Sequence, residues 1–465
     1  MNSPNFSNLS ICFFLSTLFF FGSCYKEKFV TNASEQPILS IDTIEFDTVF
    51  TTLGSTTREL RIRNPHNKTL RISSLQLSSG ATSSFSINVD GAAGSSFSNI
   101  DIPANDSIYV FAKVTIDPNS SNTPFVVADQ LLILSNGTTQ TVALQAFGQN
   151  AYYHRRQTVR SDTTWTADKP HVIVDWVFVD SAQTLSIDAG ARICTFGNYD
   201  DPYQLKGKLL VLGQLLINGN KDSIVRMQGA RLEPYWQDKA GQWNGIQLFA
   251  NSGQSIIKYT EIKGATTGIK IDSLPNVAAN YNLIIEQSTI KHISGSAILG
   301  FTSKVQATNL LAYDCNGAAL GFINGGTIAL NHCTLSSCTD AGLLVATNFL
   351  KQGNTIVSTT PMNISIKNCI IWDKYTETIG FGINENATFV SVLNTNLLKS
   401  TNTDITADCI DCLMNEDPQF KDFDAVDFTL TMASPCIDMA TGTSVSIDLD
   451  GNLRGALADI GCYEE

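Results

Sequence analysis

From Ile38 to Phe147, apolar and polar residues alternate in short runs broken by turn residues. In Glu59-Leu-Arg-Ile-Arg63, Phe85-Ser-Ile-Asn-Val89, Ser107–Ile116 and Gln140–Phe147, every second side chain falls on one face. A period of two marks half-buried β-strands. Asn-Pro, Asp-Gly and Asn-Gly pairs between the runs predict tight turns joining antiparallel strands. With Leu70-Arg-Ile72 and Leu131-Leu-Ile-Leu134, the chain offers about seven strands in about 110 residues. That suits a two-sheet sandwich of Ig type, predicted over 38–150.

Beyond a predicted linker at 148–164 the pattern changes. One phrase recurs: Tyr259-Thr-Glu-Ile262, Gln287-Ser-Thr-Ile290, Thr308-Asn-Leu-Leu311, His332-Cys-Thr-Leu335 and Asn368-Cys-Ile-Ile371. Its last residues are 28, 21, 24 and 36 apart. A second apolar ladder, Ile246, Ile269, Ile298, Leu320, Leu343 and Phe381, lengthens at the same two places. Inserts near Asp272–Asn280 and Asn348–Asn363 account for both long steps. Repeats of this size predict a stacked solenoid, each coil built from three short strands. β-branched residues and the lack of a 3.6 period argue against a helical repeat. The column Thr260, Ser288, Asn309, Cys333 and Cys369 is small throughout, as a narrow lumen requires. The solenoid is predicted over 165–408.

The last 57 residues, 409–465, contain Asp417-Pro-Gln-Phe420, Ser434-Pro-Cys-Ile-Asp438, Asp448-Leu-Asp-Gly451, Arg454 and Asp459-Ile-Gly-Cys-Tyr-Glu464. This order resembles the terminal segment of exported right-handed parallel β-helix proteins of the pectate-lyase-like superfamily. With the preceding Ig-like pattern, the chain resembles exported lipoproteins of Bacteroidetes type. The resemblance implies an all-β chain: an Ig-like sandwich, a right-handed parallel β-helix and a C-terminal cap over its last rung. Cys436 and Cys462 flank that cap and are the preferred disulfide pair. Cys409-Ile-Asp-Cys412 lacks the second pair that zinc would need, so a short-range or partner disulfide is expected there.

Residues 9–23 are mostly apolar, too short to span a bilayer but long enough for a signal-peptide core. Phe21-Gly22-Ser23-Cys24 resembles a lipobox, which implies lipidation of Cys24 and an outer-membrane lipoprotein on the periplasmic or surface face. Residues 1–10 carry no Lys or Arg, unlike the usual leader. Residues 24–37 read as a tether. The formal net charge is -13. Such a field repels phosphate backbones and disfavours nucleic-acid partners.

The superfamily includes polysaccharide lyases, polygalacturonases and pectin esterases. Residues 232–453 contain no Arg, against an Arg-based site on the central coils, though Lys291 and Lys374 remain. Carboxylate chemistry has weak candidates in Asp314, Asp340 and Asp373. They follow their ladder residues by different offsets, so solvated turns explain them as well. His292 and His332 read as outward-facing surface histidines. Tyr313, Trp372 and Tyr375 are candidates for stacking on sugar rings. Asp448, Asp450 and Asn452 start like a calcium loop but lack its twelfth-position Glu, so no metal or cofactor is expected. The expectation is a non-catalytic platform for adhesion or glycan binding on the cell envelope. The alternative is a β-helix polysaccharide lyase or glycoside hydrolase.

Overall fold

The computed structural model describes residues 28–196, 207–250, 252–272, 281–338, 342–374, 377–403, 405 and 409–465. The described chain is almost entirely β, and none of its helices is long and apolar enough to cross a membrane. It divides into two compact units: residues up to 119 with 124–148, and residues 120–123 with 149–465.

The first unit has two five-stranded sheets. One runs in the order Ile38–Leu39, Arg58–Arg63, Ser107–Val114, Phe85–Val89, Ala92–Gly94. The other runs Thr43–Phe50, Thr138–Gln149, Phe125–Ser135, Leu70–Leu77, Ser96–Ile102. Alternation decides the faces. Ile108, Val110, Ala112 and Val114 enter one shared core with Leu60, Ile72, Ile133 and Leu144. Asn136 and Gly137, both at positive φ, close a two-residue hairpin between Ser135 and Thr138. Left-handed φ at both positions fits the twist of a hairpin turn. The tether expectation fails for residues 28–37. Val30 is buried in the core and donates its N–H to Thr69 O at 2.8 Å, while Asn136 Nδ2 donates to Glu35 O at 2.8 Å. The segment is polar because its groups bond the sandwich edge.

In the second unit, parallel strands stack in three files. Sheet A includes Lys208–Val211, Gly245–Leu248, Ile269–Asp272, Leu344–Thr347 and Ile379–Gly382. Sheet B includes Thr184–Asp188, Gln214–Asn218, Ser255–Lys258, Met362–Lys367 and Phe389–Asn394. Sheet C includes Arg192–Phe196, Val225–Gly229, Thr260–Lys263, Thr334–Cys338, Ile370–Ile371 and Leu397–Leu398. One continuous hydrophobic core fills the lumen from Val159 to Ile405. The predicted linker is already part of it. Tyr152–Val159 pairs in parallel with His171–Val179, and Trp165 is buried.

The corner between sheets B and C explains the recurring phrase. Tyr259, Gln287, Asn309, His332, Asn368, Thr395 and Asp411 all have positive φ. One left-handed residue turns the chain sharply, and Asn or Asp tolerates that geometry best. The register follows from it. Ile262 pairs with Ile290, but Ile290 pairs with Ala312, which pairs with Leu335. Leu311 is therefore an outward residue, and Leu310 replaces Asn309 in the small inward column. In the other ladder Leu344, not Leu343, follows Leu320, and Ile379 replaces Phe381. The second predicted insert contains an exposed hairpin, Phe349–Gln352 with Thr355–Thr359. The first falls largely at 273–280, outside the described residues.

Residues 409–465 do not form one lid. The solenoid continues through Cys409–Ile410 and Leu413–Met414. The Cys409–Cys412 disulfide packs with Ile405 at the end of the lumen. The remainder is a strap lying along the flank. Thr441 bonds Asn368 and Thr395, Thr443 bonds His332, and Asn309 Nδ2 donates to Ile447 O at 2.8 Å. Further along, Lys221 Nζ donates to Gly451 O at 3.1 Å. The strap thus runs back across successive rungs of the B–C corner. Arg454 pins it: Nη1 pairs with Glu464 at 2.9 Å and Nη2 donates to Asn309 Oδ1 at 3.1 Å, both largely out of solvent.

The expected Cys436–Cys462 disulfide is absent; both are free buried thiols. Cys436 packs with Ile370, Trp372 and Leu397, whereas Cys462 packs with Leu311 and Tyr313. Cys462 Sγ accepts the Thr334 N–H at 3.1 Å. Burial pushes the Cys436 thiol up to about 12. The two sulfurs fill separate seats under the strap.

Candidate binding face on sheet C

Two files of side chains point outward from sheet C. One reads Arg192, Arg226, Glu261, Thr289, Leu311, Thr334, Ile370, Leu397. Beside it, Lys263, Lys291, Tyr313 and Ser336 align. The first rungs are charged and open to solvent. From Leu311 onward the file turns apolar, with Thr334 its one polar member, and the strap lies on it.

The candidate aromatics belong to the covered half. Tyr313 is only 6% exposed and meets Phe428 edge-on at 5.2 Å. Trp372, 9% exposed, meets Phe423 at 5.5 Å and Phe420 at 6.2 Å. Neither ring can present a face to a sugar. Tyr375 and Asp340 lie outside the described residues, as does Cys24. Lys374 is paired with Asp424 and sits over Phe423, so it fastens the strap.

The carboxylates do not form an open pair. Asp373 is buried and accepts the Cys338 N–H at 3.1 Å. Asp314 is half exposed and holds His292 Nδ1 at 2.5 Å, while His292 Nε2 lies 3.3 Å from Asp238. His332 does point away from the lumen, but it is wholly buried under the strap rather than on the surface. Burial and the Arg454 charge push its pKa down to about 3.

On the open half, Lys291 Nζ pairs with Glu261 at 2.9 Å and lies 6.0 Å from the Tyr313 ring. Desolvation works against the Lys291 charge, but Glu261 and Tyr313 together outweigh it and raise its pKa. Burial raises the Tyr313 phenol, so it stays protonated.

The sequence reading missed Arg192 and Arg226. They are register partners on adjacent rungs, about 4.8 Å apart. No ion pair of either guanidinium occurs among the described residues. Like charges directly opposed across a sheet are unfavourable unless something neutralises them. The loop after Gly229 borders the same face through the Asp238–His292 contact. It carries Tyr235, 69% exposed, beside Trp236 and Arg231, whose guanidinium stacks on Trp236 at 4.4 Å. The signal was the cluster Arg226, Arg231, Tyr235 and Trp236, just upstream of the clearer repeats.

No protein-family model and no curated protein matches the sequence. Among solved structures, a family 123 glycoside hydrolase from Clostridium perfringens is similar over 24% of this chain and 26% of its own, at 8% identity and a TM-score of 0.18. The likeness spans about a quarter of that enzyme and carries no argument about this chain's fold or activity.

Proposed function

We propose that this chain is an outer-membrane lipoprotein, anchored through Cys24, that holds acidic glycan chains without cleaving them. In this reading the two-sheet unit is an Ig-like spacer and the solenoid is a right-handed parallel β-helix. The known handedness of parallel crossovers supports the second assignment. One observation carries the binding role: Arg192 and Arg226 stack with no ion pair among the described residues, on the same face as Lys263 and the exposed Tyr235, in a protein of net charge -13. Two guanidinium groups on adjacent rungs suit a linear ligand bearing repeated carboxylates or sulfates. Arg offers the planar fork that matches such groups, and Tyr235 offers a ring for a sugar face.

A second reading, a glycan-cleaving enzyme, is favoured by the Asp314-oriented His292 next to Lys291 and Tyr313. A base oriented by a carboxylate beside a protonated phenol is a workable acid–base set. An array of purified glycans, read for binding and for release of reducing or unsaturated ends, separates the two. Retention of acidic chains with no new ends supports the platform. Turnover that disappears in His292→Ala and Asp314→Asn supports the enzyme.

A further inference from the structure

Cys315 and Cys338 are register partners on adjacent rungs of sheet C. Neighbouring parallel strands lie about 4.8 Å apart, within the Cα separation of about 4.4–6.8 Å that a disulfide spans. Cys315 belongs to the lumen core and Cys338 packs against it. Each thiol donates to the carbonyl two residues earlier, Cys315 to Tyr313 O at 3.6 Å and Cys338 to Ser336 O at 3.4 Å, so the two side chains repeat one geometry on successive rungs. Their access differs: Cys315 is buried, whereas Cys338 ends its strand half-buried, beyond the corner residue Ser337. A second stacked pair, Cys333 and Cys369, is fully enclosed, with Cys369 Sγ accepting the Cys333 N–H at 3.3 Å. The pairs share their stacking, but only one can be reached by a reagent.

We propose that Cys315 and Cys338 form an oxidisable dithiol, a modification site that closes to a rung-to-rung disulfide by exchange with a disulfide oxidant, either a small molecule or a thiol oxidoreductase. The Cys338 thiolate attacks the oxidant's S–S bond and releases one thiolate. Cys315 sulfur then attacks the mixed disulfide at Cys338 Sγ, releasing the second thiolate, which takes the Cys315 proton. Two protein thiols are oxidised and one disulfide is reduced to two thiols. Cys315 is buried, and the neighbouring Cys338 thiol and burial hold its pKa well above the usual thiol range, so the half-buried Cys338 is the attacking sulfur. The product would tie the rung carrying Asp314 to the next one.

The test uses the full chain with oxidised glutathione, quenched with N-ethylmaleimide and mapped by fragment mass spectrometry. The expected product has lost two hydrogens, with the link between Cys315 and Cys338 and with Cys333 and Cys369 unmodified. Cys315→Ser should instead accumulate glutathione on Cys338, and Cys338→Ser should remain unmodified at Cys315. A stable mixed disulfide on Cys338 in the parent chain, a Cys333–Cys369 link, or no reaction at Cys338 would each overturn the proposal.

Discussion

Sheet C presents the same outward file at both ends of the solenoid, with opposite chemistry. Arg192, Arg226 and Glu261 face solvent; Leu311, Ile370 and Leu397 lie under the strap, where Phe420, Phe423, Phe428 and Cys462 complete two small cores. Outward strand positions therefore report what rests on them. A polar outward file is a surface available to a ligand, whereas an apolar one belongs to an intramolecular interface. The aromatic residues that looked like sugar platforms sit on the wrong side of that boundary.

The comparison can be broken first at the strap's anchor. Arg454→Met strands Glu464 in a buried seat and removes the bond to Asn309. Severing one partner of a buried pair typically costs about 3–5 kcal/mol. Denaturant unfolding should lose that much, and proteolysis after residue 416 should accelerate; unchanged resistance would mean the strap is held elsewhere. Next comes Trp372→Ala, expected to cost about 3 kcal/mol as a large core truncation. Lys263→Ala, at its counterpart on the open half, should stay within about 0.5 kcal/mol. Equal effects at the two positions would erase the distinction between clad and bare halves.

Acid should loosen the covered half. His332 is neutral in the folded chain, with its pKa lowered from 6.5 to about 3. The unfolded chain takes up that proton first as pH falls through 6.5, so this share of stability is complete above 6.5 and is lost progressively toward 3. His171, lowered to about 4 by burial, acts in the same direction. His332→Asn keeps a residue suited to positive φ, as Asn309 and Asn368 show in the same file. It should move the acid-unfolding midpoint to lower pH; a midpoint that does not move would show that His332 titrates normally. A smaller loss, about 2 kcal/mol from the entropy of a short loop, is expected for Cys412→Ser at the lumen end. Calorimetry of that variant checks whether the disulfide closes the solenoid or merely decorates it.

Much of this architecture could be read from the chain. Alternation located most strands of the sandwich, and the recurring phrase located the B–C corner. Where the reading slipped, a physical cause is visible. Leu310-Leu311 is a consecutive apolar pair with Leu310 inside the lumen and Leu311 buried on its outer side, and in Leu343-Leu344 both residues enter the lumen core while only Leu344 is in register with Leu320. Hydrophobicity alone cannot say which faces in. Thr43–Phe50 and Ser96–Ile102 were missed as strands because the first loses its alternation at Asp47-Thr48 and the second is mostly polar. The C-terminal segment was recognised, but its placement along the flank depends on contacts with Asn309, His332 and Asn368, far away in sequence. The candidate site was the least legible part. It rests on Arg192 and Arg226, which belong to rungs spaced differently from the clearer repeats.

The direct test of the binding role is calorimetric titration of an acidic oligosaccharide into the parent chain and into Arg192→Ala/Arg226→Ala. The open-face account predicts binding by the parent that weakens as salt rises, a loss on the order of tenfold or more in the double variant, about 1.4 kcal/mol per decade, and unaltered thermal stability. Equal affinity in the two proteins, or no binding by the parent at low salt, would contradict it.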